Sequence, residues 1–294
     1  MTDSREVGPV TVAPVLREHI DAVASFLHEH LNARVPLEAW HDLLAPPWDD
    51  SSAPNSGFQL LSGGVIVGVY AAVYSRRRWI GEEDVLTCNL AAFCVQEDFR
   101  VHSLRLLRAL LAQKGYVFTD LSPSGNVPAL NERLGFHRLD TSTRLVANVP
   151  WPRRSRVHVT NDPRSLESTL EGRDAEVYRD HRSARASRHL LVQAEEGYAY
   201  LLYRRDRRKR VAGFASPLFV GGDPRLLESA WAQVAAYMLR RGMFATLAER
   251  RVLGFTPRGI GRGLAHPRPK MFKGNGTDGT QIDYLYSELT LLEW

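Results

Sequence analysis

"VQEDFRVHSLRLLRALLAQ", residues 95–113, joins the end of an apolar segment to the start of a leucine-rich helix. Five leucines recur at helical spacing and predict that one face of this helix enters the core: Leu104, Leu106, Leu107, Leu110 and Leu111. The apolar run 84–95 predicts a strand before the helix, and "YVFTDL" (116–121) predicts another after Gly115. A helix that starts directly after a strand is a common anion site, because its first amides lack intrahelical acceptors. Such sites often carry glycines, and this segment has none.

The neighbouring segments complete an α/β unit with a mixed sheet. Residues 14–31 and the segment after Pro36 predict two opening helices, and 58–74 predicts two strands joined by a turn at Gly63-Gly64. "PSGNVPALNERLGF" (123–136) predicts a short helix that ends at Gly135. Residues 148–156 mix proline and arginine without periodicity, so we expect two domains, 1–148 and 149–294.

The second half repeats part of this order. The segments 197–203 and 211–220 resemble the first hairpin, and a helix is predicted between Asp223 and Gly242. The hairpins match Gly68 with Gly213, whereas the helix ends match Gly115 with Gly242, which is a smaller offset along the chain. On this alignment the second half lacks the strand and loop before the helix, so we expect it to bind no cofactor.

One glycine-rich segment of the second half matches a phosphate-loop pattern. It is "RGIGRG" (258–263), and Pro267 and Pro269 follow it closely. These prolines prevent a helix from starting there, so no helix amides would face a phosphate. The segment is therefore expected to be a flexible connector.

Composition narrows the class of protein. The chain has 294 residues, of which 44% are hydrophobic, and a formal net charge of +5, which allows a sizeable core and favours anionic ligands. Without a long apolar segment, we expect a cytoplasmic protein that contacts no membrane. His28 and His30 lie on different sides of a helix and predict no metal site. "RRDRRKR" (204–210) lacks interleaved aromatics, which indicates a solvated hairpin tip rather than a nucleic-acid site.

The order of these elements, closed by "LNERLGF" (130–136), resembles the GNAT superfamily of acyl-CoA-dependent N-acyltransferases. "LNERLGF" resembles the closing motif of that superfamily, and "VQEDFR" (95–100) resembles the segment before its pyrophosphate loop. The resemblance covers residues 10–145, and the second half resembles a degenerate repeat of a tandem GNAT protein. It implies two domains, each with a mostly antiparallel twisted sheet flanked by helices, and acetyl-CoA or another acyl-CoA as the acyl donor.

The resemblance places the pyrophosphate at the helix start, where Ser103 and Arg105 stand in place of small residues. Helix amides attract anions whatever the side chains are, and arginine adds a charge-assisted contact. The alternative is that Arg105 points into solvent and the loop binds nothing. Asn126 is expected either beside the pantetheine arm or simply as a turn residue. The residues expected to contact acyl-CoA are Phe93, Cys94, Val95, Arg100, Val101, His102, Ser103, Leu104, Arg105 and Asn126.

Acyl transfer to an amine needs a proton acceptor for the amine and a way to release the thiolate. The tyrosine that serves as the acid in the superfamily is Asn131 here, and an amide cannot deliver a proton. Either the thiolate leaves unassisted or another group donates the proton, with Ser124, Ser122 and Tyr116 as candidates. Asn89 stands near the superfamily's carboxylate position, and Glu83, acting through water, is the expected base.

The sequence therefore predicts an acyltransferase that moves an acetyl or other short acyl group to an amine of a small molecule or peptide. One alternative is a scaffold or acyl-CoA-responsive interaction protein with the same fold. Another is an RNA-binding or RNA-modifying protein, indicated by charge alone. The C-terminal segment 282–292 is expected to be extended and to join the sheet of either domain.

Overall fold

A computed structural model describes residues 9–48, 53–78, 84–150, 157–208 and 211–293. The chain forms two compact units. The first unit comprises Met1–His137, Met271–Thr277 and Tyr286–Glu288. The second unit comprises Arg138–Lys270, Asp278–Leu285 and Leu289–Trp294.

The first unit is built on one mixed sheet. Its strands are β1 (Val10–Pro14), β2 (Gly57–Ser62), β3 (Val65–Arg78), β4 (Asp84–Val95), β5 (Tyr116–Asp120), β6 (His137–Arg138) and β14 (Met271–Lys273). The strand order is β1-β2-β3-β4-β5-β14-β6. The pairs β1–β2, β2–β3, β3–β4 and β5–β14 are antiparallel, whereas β4 and β5 are parallel. Gly63 and Gly64 both take positive φ, as a tight hairpin turn requires, so the predicted β2–β3 turn is confirmed.

Helices cover both faces of this sheet. They are α1 (Ile20–His30), α2 (Leu37–Leu44), α3 (Ser103–Leu111) and α4 (Val127–Arg133), with 3₁₀ helices at Arg17–His19 and Glu97–His102. Leu106, Leu107 and Leu110 of α3 pack with side chains of β3, β4 and β5, whereas Leu104 is 44% exposed. The buried stripe of α3 is therefore narrower than predicted.

The second unit contains a corresponding sheet. Its strands are β7 (Thr143–Ala147), β8 (His158–Thr160), β9 (Arg188–Ala194), β10 (Gly197–Arg208), β11 (Val211–Gly222), β12 (Ala245–Glu249) and β13 (Gly261–Gly263), in the order β13-β7-β12-β11-β10-β9-β8. Only β11 and β12 pair parallel among the described pairs. The helices are α5 (Pro163–Thr169), α6 (Gly172–His181), α7 (Pro224–Ser229), α8 (Trp231–Arg240), α9 (Arg250–Leu253) and α10 (Glu288–Leu291), which begins at the last residue of the first unit's third segment. The predicted α/β class with mostly antiparallel sheets is confirmed.

The two sheets repeat each other more completely than the sequence indicated. β4 begins at Asp84 and β11 at Val211, and each of these strands pairs parallel with the strand that follows it. Each also carries one extra residue at the corresponding point of its antiparallel register, Ala91 in β4 and Leu218 in β11. The prediction that the second half lacks this strand is wrong, because the alignment of the hairpins matched β10–β11 with β2–β3.

Two connecting segments differ from expectation. β7 pairs with β12, so the units divide earlier than the predicted boundary between residues 148 and 149. The "RGIGRG" segment is not a flexible connector, because it contains β13, which pairs with β7. A Cβ on Gly261 would lie 2.2 Å from the carbonyl oxygen of Leu145, so only glycine fits this pairing.

The C-terminal segment 282–292 joins neither sheet among the described strands. It forms α10, and β14 from an earlier segment pairs with β5. In the "RRDRRKR" segment, the described Arg204 and Asp206 are buried within β10, and Arg268 pairs with Asp206 at 3.1 Å. The predicted solvated tip is therefore wrong for these residues, and residues 209–210 lie outside the described chain. None of the described helices has the length and apolar character needed to cross a bilayer.

Candidate active site

The parallel strands β4 and β5 separate near the middle of the first sheet. Their register runs from Leu86 opposite Tyr116 to Asn89 opposite Thr119, and β5 ends one residue later. β4 continues to its end paired with β3, and the bulge at Ala91 lies just beyond the last β5 pair. Because bulges bend a strand, this arrangement opens the sheet between the second half of β4 and the end of β5.

A 3₁₀ helix occupies the segment in which the sequence predicts a phosphate loop. It spans Glu97–His102 and runs directly into α3. The amide of Ser103 donates to the carbonyl oxygen of Arg100, so it is engaged within the chain. Among the described non-glycine residues only Tyr286 has positive φ, so no residue of this segment needs the conformational freedom of glycine. This explains how the segment folds without glycine.

The side chains of this segment point in several directions. Arg100 is exposed and pairs with Glu97 at 3.1 Å. The guanidinium of Arg105 instead donates to the carbonyl oxygen of Val10 at 2.8 Å. His102 stands at the N-cap of α3 without a capping hydrogen bond from its side chain. Arg100 and His102 are thus better placed than Arg105 to meet an anion at the start of α3.

Asp120 ends β5 and is buried on the face that carries α3 and α4. Asn131 of α4 is fully buried, and its Nδ2 donates to Oδ2 of Asp120 at 2.8 Å. Within the described chain no donor reaches the other amide atom, Oδ1 of Asn131. A buried acceptor without a donor is uncommon, and it marks a position that suits a hydrogen-bond donor from a ligand.

Glu288 approaches the same point from the opposite face. Its carboxylate is fully buried and accepts from Oγ of Ser122 at 2.6 Å and from Nδ2 of Asn89 at 2.5 Å. Thr119 donates to Oδ1 of Asn89 at 3.0 Å, which fixes the orientation of that amide. Ser122 contacts both carboxylates, Glu288 through its Oγ and Asp120 through its amide, so the two amide–carboxylate pairs form one buried network near the point where β4 and β5 separate.

The segment before Glu288 is held in an unusual conformation. Tyr286 takes a φ of 54°, in the left-handed region, and packs edge-on against Trp48 with ring centroids 5.3 Å apart. The guanidinium of Arg77 lies 5.0 Å from the centroid of the same tyrosine ring. This backbone conformation is costly for a tyrosine, so the contacts of the ring have to hold it in place.

Burial controls protonation in the network. The pKa of Asp120 is raised to about 7, mainly by burial and also by the negative charge of Glu288, while hydrogen bonds from Asn131 and the Ser122 amide act in the opposite direction. Burial also raises the pKa of Tyr70 well above its usual value, with Asp120 and Glu288 contributing. The pKa of the Cys88 thiol is raised to about 12 by burial, so this thiol stays protonated and unreactive.

A cavity of about 490 Å³ in the first unit is lined in part by residues of β3. Its walls include Ile20 at the start of α1, Leu44 at the end of α2, Trp48 and Val73. Val73 is the register partner of Asn89, and Trp48 is the residue that packs against Tyr286. Trp48 therefore contacts both the cavity and Tyr286, which lies two residues before Glu288.

No protein-family model and no curated protein sequence matches the chain. Solved structures are similar to it. A GCN5-related N-acetyltransferase from Anabaena variabilis matches 90% of this chain and 72% of its own, with a TM-score of 0.57 and 12% identity. A putative acetyltransferase from Pyrococcus horikoshii matches 96% and 92%, with a TM-score of 0.52 and 12% identity. A GCN5-related N-acetyltransferase from Kribbella flavida matches 90% and 71%, with a TM-score of 0.54 and 12% identity. The chain has the GNAT fold. At these identities the similarity concerns the fold, and any activity depends on the side chains.

In the second unit, carboxylates accept hydrogen bonds from the backbone amides between the end of β11 and the start of α7. Asp174 accepts from the amide of Gly222, the last residue of β11, at 2.8 Å. Asp223 accepts from the amide of Arg225 at the start of α7. These are the amides that would face an anion in this position. These amides already have acceptors within the second unit, and the expectation that the second half binds no cofactor stays a prediction.

The carboxylate that ends β12 also differs from Asp120. Glu249 closes the parallel strand of the second unit, as Asp120 closes that of the first. Lys270 donates to Glu249 at 2.5 Å, the hydroxyl of Tyr284 donates as well, and Nε of Arg251 lies 3.7 Å away. The corresponding strand ends therefore differ. Asp120 is hydrogen-bonded by amides, whereas Glu249 is paired with cations.

The structure brings together only part of the predicted site. Asn89 and Asn131 both enter the network around the two carboxylates. Ser124 and Asn126 are exposed, and their carbonyl groups accept hydrogen bonds at the start of α4. Glu83 lies outside the described residues.

The residues predicted to contact the acyl donor also differ in their exposure. Phe93 is 39% exposed and packs against Tyr70. Cys94 and Val95 follow it and are partly buried, whereas Val101 and Leu104 are exposed. The apolar members of the predicted set thus lie along the end of β4 and around the start of α3.

Sequence reasoning missed Asp120 and Glu288. An acidic residue at the end of a strand, such as Asp120, is common and carries no specific signal. A signal existed for Glu288, because it is the single charged residue in the apolar run "YLYSELTLL" (284–292). A lone charge in such a run indicates either a surface position or a buried, partnered carboxylate. No spacing in the sequence links it to Asn89, which is 199 residues away.

Proposed function

We propose that the first unit transfers an acetyl or other short acyl group from acyl-CoA to an amine of a small molecule or peptide. The observation that carries this proposal is the separation of β4 and β5 beyond Asn89 and Thr119, with a buried hydrogen-bonded network of carboxylates at that point. We place the path of the acyl donor in this opening, from the start of α3 towards Asp120 and Glu288. An acyl donor that entered it would bring its thioester to groups that exchange protons.

The residues of the opening suit acyl-CoA. The unpaired Oδ1 of Asn131 is an acceptor for an amide N–H of the pantetheine arm. Arg100 supplies positive charge for the diphosphate and His102 a ring N–H, with Ser103 contributing its hydroxyl rather than its amide. The exposed Phe93, Val101 and Leu104 offer apolar surface beside this path. When bound, acyl-CoA would supply an activated acyl group on a thiol leaving group.

The amine would approach from the face that carries α1 and α2. The cavity beside Val73 and Trp48 lies on this side, and Trp48 connects it through Tyr286 to Glu288. Asn89 already donates to Glu288 and accepts from Thr119, so it acts as a positioning residue and not as a base. We therefore place the proton acceptor at Glu288, and Glu83 stays a second candidate from the sequence.

One observation favours a non-catalytic alternative. The amide of Ser103 is engaged, and the start of the 3₁₀ helix carries the acidic residues Glu97 and Asp98, which disfavour an anion there. A protein with these acidic residues at the start of the 3₁₀ helix would bind acyl-CoA weakly. It would act as a scaffold or an acyl-CoA-responsive interaction protein. Its expected properties are measurable CoA binding without thiol release.

Two measurements on the full chain distinguish these functions. Calorimetry with acetyl-CoA and with CoA tests binding, and release of free thiol is then followed with acetyl-CoA and a panel of primary amines. The panel contains an alkyl diamine, an amino sugar and a tripeptide with a free N-terminus. Binding together with thiol release supports the enzyme, binding without release supports the alternative, and no binding at millimolar ligand excludes both. A cytoplasmic location stays a prediction from the sequence.

A further inference from the structure

We propose that Asp120 is the acid that protonates the departing sulfur, in the role that Asn131 cannot fill. This inference rests on the proposed acyl transfer and names a residue that the sequence alone did not indicate. Asn131 occupies the position of the expected tyrosine, and it donates a hydrogen bond to Asp120 instead of facing the reaction itself. The proton donor would thus move from α4 to the end of β5.

Geometry places Asp120 at the right point of the sheet. It follows Thr119, the last β5 residue paired with β4, so it stands where the two strands begin to separate. Asp120 shares a strand face with Phe118, whose side chain packs with the leucines of α3. An arm that runs inward from the start of α3 would reach this face. Oδ1 of Asn131 is fully buried and has no described donor, which indicates that a ligand group with an N–H or S–H belongs there.

The surroundings of Asp120 favour the protonated acid. The side chain is 4% exposed, and Glu288 is the charged group that raises its pKa. Tyr70 also faces Asp120 and stays neutral, since burial raises its pKa. No cation of the described chain appears among the groups that shift the pKa of Asp120. Near neutral pH a large fraction of Asp120 therefore carries a proton, as a general acid requires.

The second unit provides an internal comparison. Glu249 ends the equivalent strand β12 but is paired with Lys270 and lies near Arg251. Its carboxylate serves as the counter-ion of these two side chains, which a proton donor could not do. Glu249 therefore stabilises the second unit, whereas Asp120 at the corresponding strand end of the first unit would transfer a proton.

The step balances without any oxidant or reductant. The amine nitrogen forms a bond to the carbonyl carbon and gives one proton to Glu288. The carbon–sulfur bond breaks, its electron pair stays on sulfur, and sulfur takes the proton of Asp120. Glu288 then loses its proton to solvent and Asp120 regains one, which restores the starting state.

Infrared difference spectroscopy between pH 5 and pH 9 directly tests whether Asp120 is protonated near neutral pH. The wild-type protein is expected to show the carbonyl band of a buried carboxylic acid that disappears with a midpoint near pH 7. D120N should lack this band. D140N makes the same exchange at an exposed carboxylate whose pKa is lowered by hydrogen bonds from Ser142, and it should keep the band. E288Q should keep the band but shift its midpoint to lower pH, because the negative charge beside Asp120 is lost.

Kinetics then test the use of that proton. With acetyl-CoA and whichever amine of the panel gives thiol release, D120N is expected to lower kcat about 100-fold. Its Kd for acetyl-CoA should stay close to the wild-type value, because the amide keeps the shape of the carboxyl group. The limb of the kcat profile that falls above pH 7 should vanish in D120N and persist in D140N.

The outcomes separate this proposal from the function on which it rests. If the wild-type protein releases thiol and D120N releases it equally fast with the same pH profile, Asp120 is not the acid although the enzyme stands. If no carboxylic acid band titrates near pH 7, the proposal is also overturned. If the wild-type protein binds acetyl-CoA and releases no thiol with any amine, the acyl transfer fails and the role of Asp120 falls with it.

Discussion

Asp120 is a residue whose proposed function would lower the stability of the folded protein. Burial removes water from its carboxyl group, and its described hydrogen bonds come from amides and not from cations. Ionising such a group inside a protein costs free energy, so the folded state favours the protonated form. A protein that gained nothing from this arrangement would be more stable with an asparagine at the same position.

The stability of the protein should therefore depend on pH through Asp120. Its folded pKa of about 7 lies above the ordinary value of 3.8, so its contribution to stability is full below about pH 4 and is lost as pH rises through 7. Between pH 5 and pH 8 the free energy of unfolding of the wild-type protein should fall by about 2 to 3 kcal/mol more than that of D120N. Urea unfolding at both pH values measures this difference. Equal pH dependence in the two proteins would show that Asp120 titrates normally.

Glu249 should respond in the opposite way to the same kind of exchange. It compensates Lys270 and Arg251, which are both largely buried. E249Q removes the charge and leaves two cations without their carboxylate, so we expect a loss of about 3 kcal/mol at pH 7. Thermal unfolding of E249Q beside D120N gives the comparison. A stable E249Q would mean that these cations find other partners.

At the scale of elements, the bulged strand and the helix after it decide what the first unit can bind. The bulge at Ala91 opens the sheet, and the 3₁₀ helix before α3 replaces the expected loop. Because the Ser103 amide is engaged, binding of a diphosphate would depend more on side chains than in a glycine-rich loop. Charged side chains at a surface are sensitive to salt, so this binding should weaken as ionic strength rises.

Arg100 is the side chain that should contribute most to binding of the diphosphate. R100A is expected to weaken acetyl-CoA binding about 10-fold, since a charge-assisted contact to phosphate is lost. R108A, which removes an exposed arginine from the last turn of α3, is the matched control and should bind as the wild-type protein does. Calorimetry in the same buffer compares the three proteins. Equal affinities would place the diphosphate away from this segment.

Most elements of the first unit could be predicted, because periodicity and turn residues are local signals. The Gly63-Gly64 hairpin, the leucine helix and the short helix before Gly135 all follow from residues close together in the chain. The 3₁₀ helix could not be predicted, because no local signal in residues 97–102 distinguishes it from an irregular loop. The alignment of the halves failed for a similar reason. Hairpins resemble one another, whereas the matching bulges at Ala91 and Leu218 appear only in the strand register.

At the scale of the molecule, the first unit is completed by segments far along the chain. β14 pairs with β5, and Tyr286–Glu288 supplies the second carboxylate. Contacts between positions so distant in the chain leave no local trace in a single sequence. For this reason the sequence indicated the fold and three members of the candidate network, Asn89, Asn131 and Ser122, but neither of the two acidic residues.

A fragment that spans positions 1–148 tests this completion. It matches the domain expected from the sequence but lacks β14 and Glu288, so β5 keeps an unpaired edge and Asn89 loses its acceptor. We expect the fragment to lack a cooperative thermal transition and to aggregate. The full chain under the same conditions is the control. A fragment that melts sharply would show that this N-terminal segment is a complete folding unit by itself.

A crystal structure of the full chain with acetyl-CoA would show whether the thioester sulfur meets Asp120. We expect the sulfur to lie between β4 and β5, within hydrogen-bonding distance of Asp120, with the diphosphate beside Arg100 and His102. A structure with the diphosphate elsewhere, or with the sulfur away from Asp120, would contradict this expectation.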